Sequence, residues 1–481
     1  MLKNLFNKTF VLILFSVILL EIGSFLAHQF LWLNVILFAL ICSLAAVLSL
    51  WRLEYGLYFL LAELFVGSKG YLFFLDFEGF RISVRMGLFA VVFIVWLLNL
   101  FKNRDREFFK SPWLGYYLAL FVFLTLGAIN GLLNSQPVAW WLDLNGWLYF
   151  LIAPAFFAAV KNQRAVWNVF SILMASVLCL SVKTIVVALS FSYGFSRIGD
   201  VFYQWLRNSG VGEITYVTGD FYRIFFQAHF YVLIGLLACL ALLVFKKQSW
   251  GAKAPLIALS VLAGASLLLS SSRSLWLGLA AGLVMLFLIW IIKYQASLRQ
   301  ATKALSLLVL IVLAEAMLLS AAFNGFGASL LGNRLDLENE PASVSRLQQL
   351  KPLGQAISRH PFLGSGFGKE VTYVSFDPRI RQRFPDGRYT TYAFEWGFLD
   401  IWLKLGFFGL LAYFLLMVKI GKESLKAGLA GEMIFIGLAA LAIIHIFSPY
   451  LNHPLGIGFI ILASSLIYSH SHGEKNSQAG S

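Results

Sequence analysis

Two arginines occupy positions where a charged side chain is costly. Arg223 lies in Asp220-Phe-Tyr-Arg-Ile-Phe-Phe at the mouth of an apolar run, and Arg273 lies in Ser270-Ser-Ser-Arg-Ser-Leu-Trp between two such runs. An ionisable group near a membrane boundary must snorkel or find a partner, so each is a candidate for function. Guanidinium suits phosphate because its rigid fork makes bidentate, charge-assisted hydrogen bonds and keeps its proton. The serines around Arg273 add hydroxyl donors, and a tight polar turn there is suited to an anion. Both residues also fit the plainer role of a snorkelling anchor.

A long polar segment, residues 324–395, carries Arg334, Arg346, Lys351, Arg359, Lys369, Arg379, Arg381, Arg383 and Arg388. It ends at Glu395, where the next apolar run begins. A carboxylate at a half-buried boundary has its pKa raised and can act as a general base; its alternative role is to pair with a loop arginine. His28, His229, His360, His445 and His453 are scattered, and no Asp-x-Asp or HExxH pattern marks a metal site. His229 and His445 read as polar residues satisfied within a helical bundle. Several converging arginines would then do the work of a metal. Gly364, Gly366 and Gly368 form a GxGxG with no strand before it, so the nucleotide-binding reading is weak.

The elements that must position these groups are membrane helices. The chain is 60% hydrophobic and 12% charged, against about 25% charged in an ordinary soluble domain, and its mean hydropathy is +0.80. Apolar runs extend from end to end, which predicts one all-α polytopic membrane protein with 12–14 transmembrane helices. Spans are expected at 10–27, 31–50, 55–75, 84–101, 113–133, 145–160, 166–189, 224–245, 255–270, 275–292, 305–322, 396–418, 433–447 and 455–467. The third is the weakest, because Glu63, Lys69 and several glycines interrupt it. The first reads as a helix rather than a cleaved signal peptide, since no small-residue cleavage site follows. Cys42, Cys179 and Cys239 all sit in apolar runs, which argues against disulfides and redox chemistry.

The +14 formal charge falls mostly in short loops, as topology requires, and gives no reason to invoke nucleic acid. With the N-terminus inside, Lys102 to Lys110, Lys161 with Arg164, Lys246 to Lys253, Lys293 to Lys303 and Lys419 to Lys426 all face the cytoplasm. Both termini are then cytoplasmic. The expected organisation is transmembrane helices 1–11 over residues 1–323, a large outer, periplasmic loop with short amphipathic helices over 324–395, helices 12–14 over 396–468, and a disordered cytoplasmic tail over 469–481. A second outer loop spans 190–222. The stretch from Arg346 to the His360-Pro-Phe-Leu-Gly-Ser-Gly-Phe-Gly segment reads as a surface helix bent near Pro352, then a turn.

The order of these features resembles the O-antigen ligase and O-antigen polymerase superfamily of polytopic membrane glycosyltransferases. The resemblance covers Asp220 to Leu411. It rests on Arg223 entering a span, the Ser-x-Arg turn at Arg273, the loop with Arg346 and the His360-Pro-Phe-Leu-Gly-Ser-Gly-Phe-Gly segment, then Gly406-Phe-Phe-Gly-Leu-Leu. Ligases of the family usually carry His-Asn eleven residues before the first glycine of that last motif, where this chain has Glu395-Trp396. A carboxylate in place of the histidine points to a polymerase, favoured here, or to a divergent ligase. The resemblance implies transfer of a glycan from undecaprenyl diphosphate, in a bacterial inner membrane, to a sugar hydroxyl of a glycan or lipid acceptor on the periplasmic face. It implies no cofactor, metal or nucleotide sugar, and membrane lipids as surroundings. Arg223, Arg273, Arg346, Arg359 and Arg388 are the expected diphosphate and substrate ligands, with Arg273 and Glu395 catalytic. Trp140, Trp141, Tyr389 and Tyr392 are candidates for stacking on sugars, or for a membrane-boundary belt.

A lipid-linked-oligosaccharide flippase is the competing reading, and an assembly scaffold would leave Arg273 and Glu395 dispensable. A transporter is expected to show two similar halves and charges near mid-bilayer. The sequence shows no such repeat, and its large loop lies in one half.

Overall fold

The computed structural model describes residues 5–77, 80–103, 105–194, 196–218, 221–246, 249–323 and 341–479. Arg334 and the rest of 324–340, and Asp220, lie outside the described residues. The chain is an all-α multi-pass membrane protein: among the described residues, 12 helical stretches are long and apolar enough to cross a membrane. Apart from a single helical turn at Glu107–Lys110, the α-helices in chain order are α1 (Lys8–Gln29), α2 (Leu31–Trp51), α3 (Leu53–Val66), α4 (Val84–Asn103), α5 (Leu114–Asn134), α6 (Pro137–Asn145), α7 (Ala153–Ala159), α8 (Gln163–Ser192), α9 (Ser196–Asn208), α10 (His229–Phe245), α11 (Trp250–Ser270), α12 (Arg273–Tyr294), α13 (Leu298–Ala322), α14 (Pro341–Arg359), α15 (Pro378–Arg383), α16 (Gly397–Ser424), α17 (Gly428–Phe447) and α18 (Pro454–Ala479). A 3₁₀ turn joins α6 to α7, and the three make one crossing. The short helices α3 and α10 complete the fourteen apolar segments read from the sequence.

Burial sorts the helices into an inner and an outer set. α3 and α10 are buried on nearly every face, whereas α1, α2 and α13 leave Phe15, Trp32, Leu40, Leu310 and Met317 exposed, as lipid-facing helices do. Lipid tails give no hydrophobic drive between helices, so close packing carries the association. Glycines supply it: Gly278 and Gly282 of α12 lie against Ile444 and Leu237, leaving no room for a Cβ.

Among the described residues three antiparallel hairpins interrupt the helical pattern: β1 (Phe74–Phe77) with β2 (Phe80–Ser83), β3 (Gly212–Thr218) with β4 (Phe221–Phe226), and β5 (Val371–Val374) with β6 (Arg388–Thr391). The expected third span is shorter than its apolar run. α3 stops at Val66, and a turn through Ser68 (φ 51°) and Gly70 (φ 93°) leads into β1. Glu63 near its end forms a two-point ion pair with Arg85 of α4, at 2.7 and 3.1 Å. The expected eighth span likewise begins late, at His229, because Phe221–Phe226 pairs as a strand. Its alternating aromatic and aliphatic residues favour that state. α14 continues as one helix through Pro352, and α18 runs to Ala479, through a stretch whose composition predicts disorder.

The element that positions the site is a break in α16. Gly406 has φ 72°, so the helical ladder is interrupted inside a span. Backbone polar groups freed at membrane depth need partners from elsewhere in the protein, and residues 361–368 supply them. Ser365 and Gly366 donate N–H to the carbonyls of Leu403 and Lys404 at 2.7 and 3.1 Å, while Phe407 and Phe408 donate to Pro361 and Phe362 at 2.8 and 3.3 Å. Gly364, Gly366 and Gly368 all take positive φ, and a Cβ on each would meet the backbone of Lys404 and Gly406, of Gly131, and of Trp140, at 2.3–2.5 Å. The GxGxG is therefore a packing device that clasps the broken helix to α5 and α6.

Candidate active site

The strand β4 and the α11–α12 elbow meet through Arg223, whose Nε donates to the carbonyl of Ser270 at 2.9 Å and whose guanidinium lies 5.0 Å from the Phe225 ring. This carbonyl is one of those left open at the end of α11. Ser271 then takes φ 45°, a left-handed geometry usually left to glycine, and Ser272 stands at the N-cap position of α12 without a side-chain capping bond. Strain of this kind persists where surrounding structure enforces it. Here Ser270 Oγ donates to Leu267, and Ser448 of the α17–α18 connection donates to Ser274 at 3.0 Å. The elbow sets Arg273 as the first residue of α12, where the helix dipole adds to its positive charge.

Arg346 comes from α14. Its side chain pairs with Glu395, its carbonyl accepts the Trp396 indole N–H at 2.8 Å, and Gln349 one turn on accepts the Glu395 N–H at 3.4 Å. The last residues of the large segment are thereby fixed on α14. Burial, followed by the charge of Arg273 and then Arg223, moves Arg346 below the ordinary arginine range. Burial also lowers Arg223; Glu213 and Tyr450 oppose that shift, and Arg273 adds to it. Guanidinium groups stay protonated through shifts of this size. The structure thus brings three of the five expected phosphate ligands, Arg223, Arg273 and Arg346, into one partly desolvated basic site, with Glu395 on its rim. Such a site attracts an anion with several oxygens.

The other two expected ligands stand apart. Arg359 is exposed at the end of α14, thirteen residues from Arg346, or roughly 20 Å along a helix. Arg388 on β6 is 77% exposed and lies 3.9 Å from Asp386. Neither position gives it a part in the buried cluster. Glu395 is about half exposed and beside a guanidinium rather than in apolar surroundings, which is the ion-pair role the sequence left open. Trp140 is tied down by its indole N–H to Ala128 at 2.9 Å, and Tyr389 packs edge-on against Tyr373. Burial, then the nearby Asp143, raises the pKa of Tyr392. His229 is satisfied at both nitrogens, accepting from the Phe226 N–H and meeting Thr184 Oγ1 at 2.9 Å.

One group was passed over in the sequence. Lys404 of α16, 2% exposed, bridges Asp143 of α6 at 2.6 Å and Asp400 at 2.7 Å. Asp143 also accepts the Gly368 N–H at 2.8 Å, and Asn452 donates to Asp400 at 2.5 Å. This network joins the clasp, α6, α16 and the α17–α18 connection. The signal was present as Asp400 and Lys404 four residues apart inside an apolar run, since charges within a span mark function or structure by default.

Among the described residues no group of three or more His, Cys, Asp or Glu is placed to hold a metal ion. The fold and site define a multi-pass membrane protein with a cluster of three arginines at the face that carries its hairpins. Residues 257–414 match the Wzy_C family, described as O-Antigen ligase. The match supports the resemblance to the O-antigen ligase and polymerase superfamily, and with it an O-antigen ligase-type membrane glycosyltransferase acting on lipid-linked glycans. It takes in Arg273, Arg346, Glu395 and the clasp at Gly406, and it starts after Arg223. No curated protein matches the chain.

Proposed function

We propose that this protein transfers a glycan from undecaprenyl diphosphate to an acceptor sugar hydroxyl at the periplasmic face of a bacterial inner membrane, extending a repeat-unit polymer rather than capping a lipid core. The observation that supports this reading is that Arg223, Arg273 and Arg346 lie near enough to feel one another's charge, with Glu395 paired to Arg346. The acceptor oxygen attacks the anomeric carbon and its proton passes to Glu395. The bond from that carbon to the diphosphate oxygen breaks, and its electron pair leaves with the lipid diphosphate. Arginines aimed at the developing charge stabilise this departure. By family analogy the anomeric centre inverts, and neither metal nor nucleotide sugar takes part. The carboxylate at position 395, where the ligases of the family usually have histidine, supports the polymerase reading.

Purified protein in proteoliposomes with an undecaprenyl diphosphate-linked oligosaccharide tests this proposal. Release of lipid diphosphate with growth of the lipid-linked glycan is expected. Transfer to a separate lipid core would identify a ligase. No release with varied acceptors would remove the enzyme reading and leave transport.

A further inference from the structure

A groove of about 560 Å³ opens among α1, α2, α3, α4 and α8, helices that carry none of the arginine cluster. This is within the ~300–1,000 Å³ of small-molecule sites. Its walls are apolar, with Leu12, Leu20, Ile41, Leu44, Leu48 and Phe59 along its length. Of the three carboxylates that reach it, Glu21 and Glu63 along its length are each neutralised, by Lys183 and Arg85 at 2.7 Å. The interior therefore suits a hydrocarbon chain.

The mouth is different. Arg52 and Arg164 line it, both exposed, with Lys8 next to the lining residue Thr9. Two cations line this mouth, Arg52 and Arg164, beside one carboxylate, Glu54, which pairs with Arg52 at 2.7 Å. Among the described residues Arg164 has no ion-pair partner. Just inside, the Tyr58 hydroxyl accepts from Asn168 at 3.1 Å, which leaves its own hydrogen to donate into the groove. Trp51 at the end of α2 is 75% exposed, as residues at a membrane boundary are. This mouth is one helix length from the hairpin face. α2 is 21 residues long, about 30 Å, and Asn34 near its other end bonds Phe74 of β1.

We infer that this groove holds one phospholipid with an anionic headgroup, its acyl chain between the helices and its phosphate at Arg164 and Arg52. A polyprenyl diphosphate bound at the arginine cluster has its charged end on the opposite face, so the charge at this mouth is matched by a lipid of the other leaflet. The site is separate from the glycan-transfer chemistry and does not depend on it.

Native mass spectrometry of the full chain, delipidated and returned to mixed micelles of phosphatidylcholine with phosphatidylglycerol, tests the assignment. One phosphatidylglycerol is expected to stay bound in preference to phosphatidylcholine. Arg164→Gln, at an exposed position, should weaken that binding about fivefold, and Leu44→Trp, which fills the groove, should abolish it. Equal retention of the two lipids would overturn the inference, as would Arg164→Gln binding like the wild type. Displacement by undecaprenyl phosphate at equal concentration would overturn it too, by giving the groove to the polyprenyl chain.

Discussion

Arg346 in the second turn of α14 and Glu395 at the threshold of α16 form an ion pair that closes the large segment on itself. The pair gives Glu395 two separable roles, as the base that takes the acceptor proton or as the tether that aims Arg346. Glu395→Gln keeps a hydrogen-bond acceptor for Arg346 but cannot take a proton. We expect it to lower kcat by roughly 10²–10⁴-fold, the range of a lost general base, with little change in KM. Because the pair is 38% and 48% exposed, unfolding stability should fall by no more than about 1 kcal/mol. A variant that turns over normally would leave Glu395 as a tether only.

Arg273 neighbours both other arginines, since its charge acts on Arg223 and on Arg346. Inorganic pyrophosphate should therefore raise the melting temperature of the wild-type protein in detergent, by stabilising only the folded state. Arg273→Gln should abolish that rise and cut turnover by about 10²–10³-fold, as losing one donor to a developing charge does. Arg388→Gln, on an exposed strand, should leave both readouts unchanged. Equal pyrophosphate shifts in all three proteins would refute the assignment of the site.

The sequence carried the membrane helices well, because each crossing is a local run of apolar residues. It carried the arginines as misplaced charges. It did not carry the strand that holds Arg223, because the aromatic residues Phe221 to Phe226 run almost directly into the apolar helix at His229, and hydropathy reads both as one span. Nor did it carry the Lys404 network. One lysine and one aspartate are averaged away in an apolar window, and the third member, Asp143, is 261 residues distant in the chain. Glu395 was visible as a boundary carboxylate, but its pairing with Arg346 rather than Arg359 or Arg388 depends on how α14 docks.

The Lys404 network predicts an asymmetry. Lys404→Met leaves two carboxylates facing each other in a buried site, and breaking a buried pair costs about 3–5 kcal/mol. The variant should therefore unfold at much lower temperature or fail to accumulate. Adding Asp400→Asn and Asp143→Asn removes the uncompensated charges while leaving an oxygen acceptor for the Gly368 N–H, and should restore part of the loss. If the triple variant is no more stable than Lys404→Met, the cost lies in packing rather than charge.

The clasp gives the sharpest contrast between glycines. Gly406 has φ 72°, and a Cβ there would meet the carbonyl carbon and oxygen of Phe362 at 2.4 and 2.2 Å. Gly406→Ala must therefore both strain the backbone, at about 1–3 kcal/mol, and push residues 361–364 out of the break in α16. The amides of Phe407 and Phe408 would then lose their acceptors at membrane depth, where the penalty adds to the strain. Gly354 in α14 has open space around it and helical geometry, so Gly354→Ala should stabilise by roughly 0.5–1 kcal/mol. Thermal unfolding of both variants beside the wild type measures the opposite signs. Hydrogen exchange should show the added loss in Gly406→Ala at Ser365 and Gly366, which donate to Leu403 and Lys404 in the intact protein. Unchanged protection at those two amides would mean that the segment holds its place without the glycine.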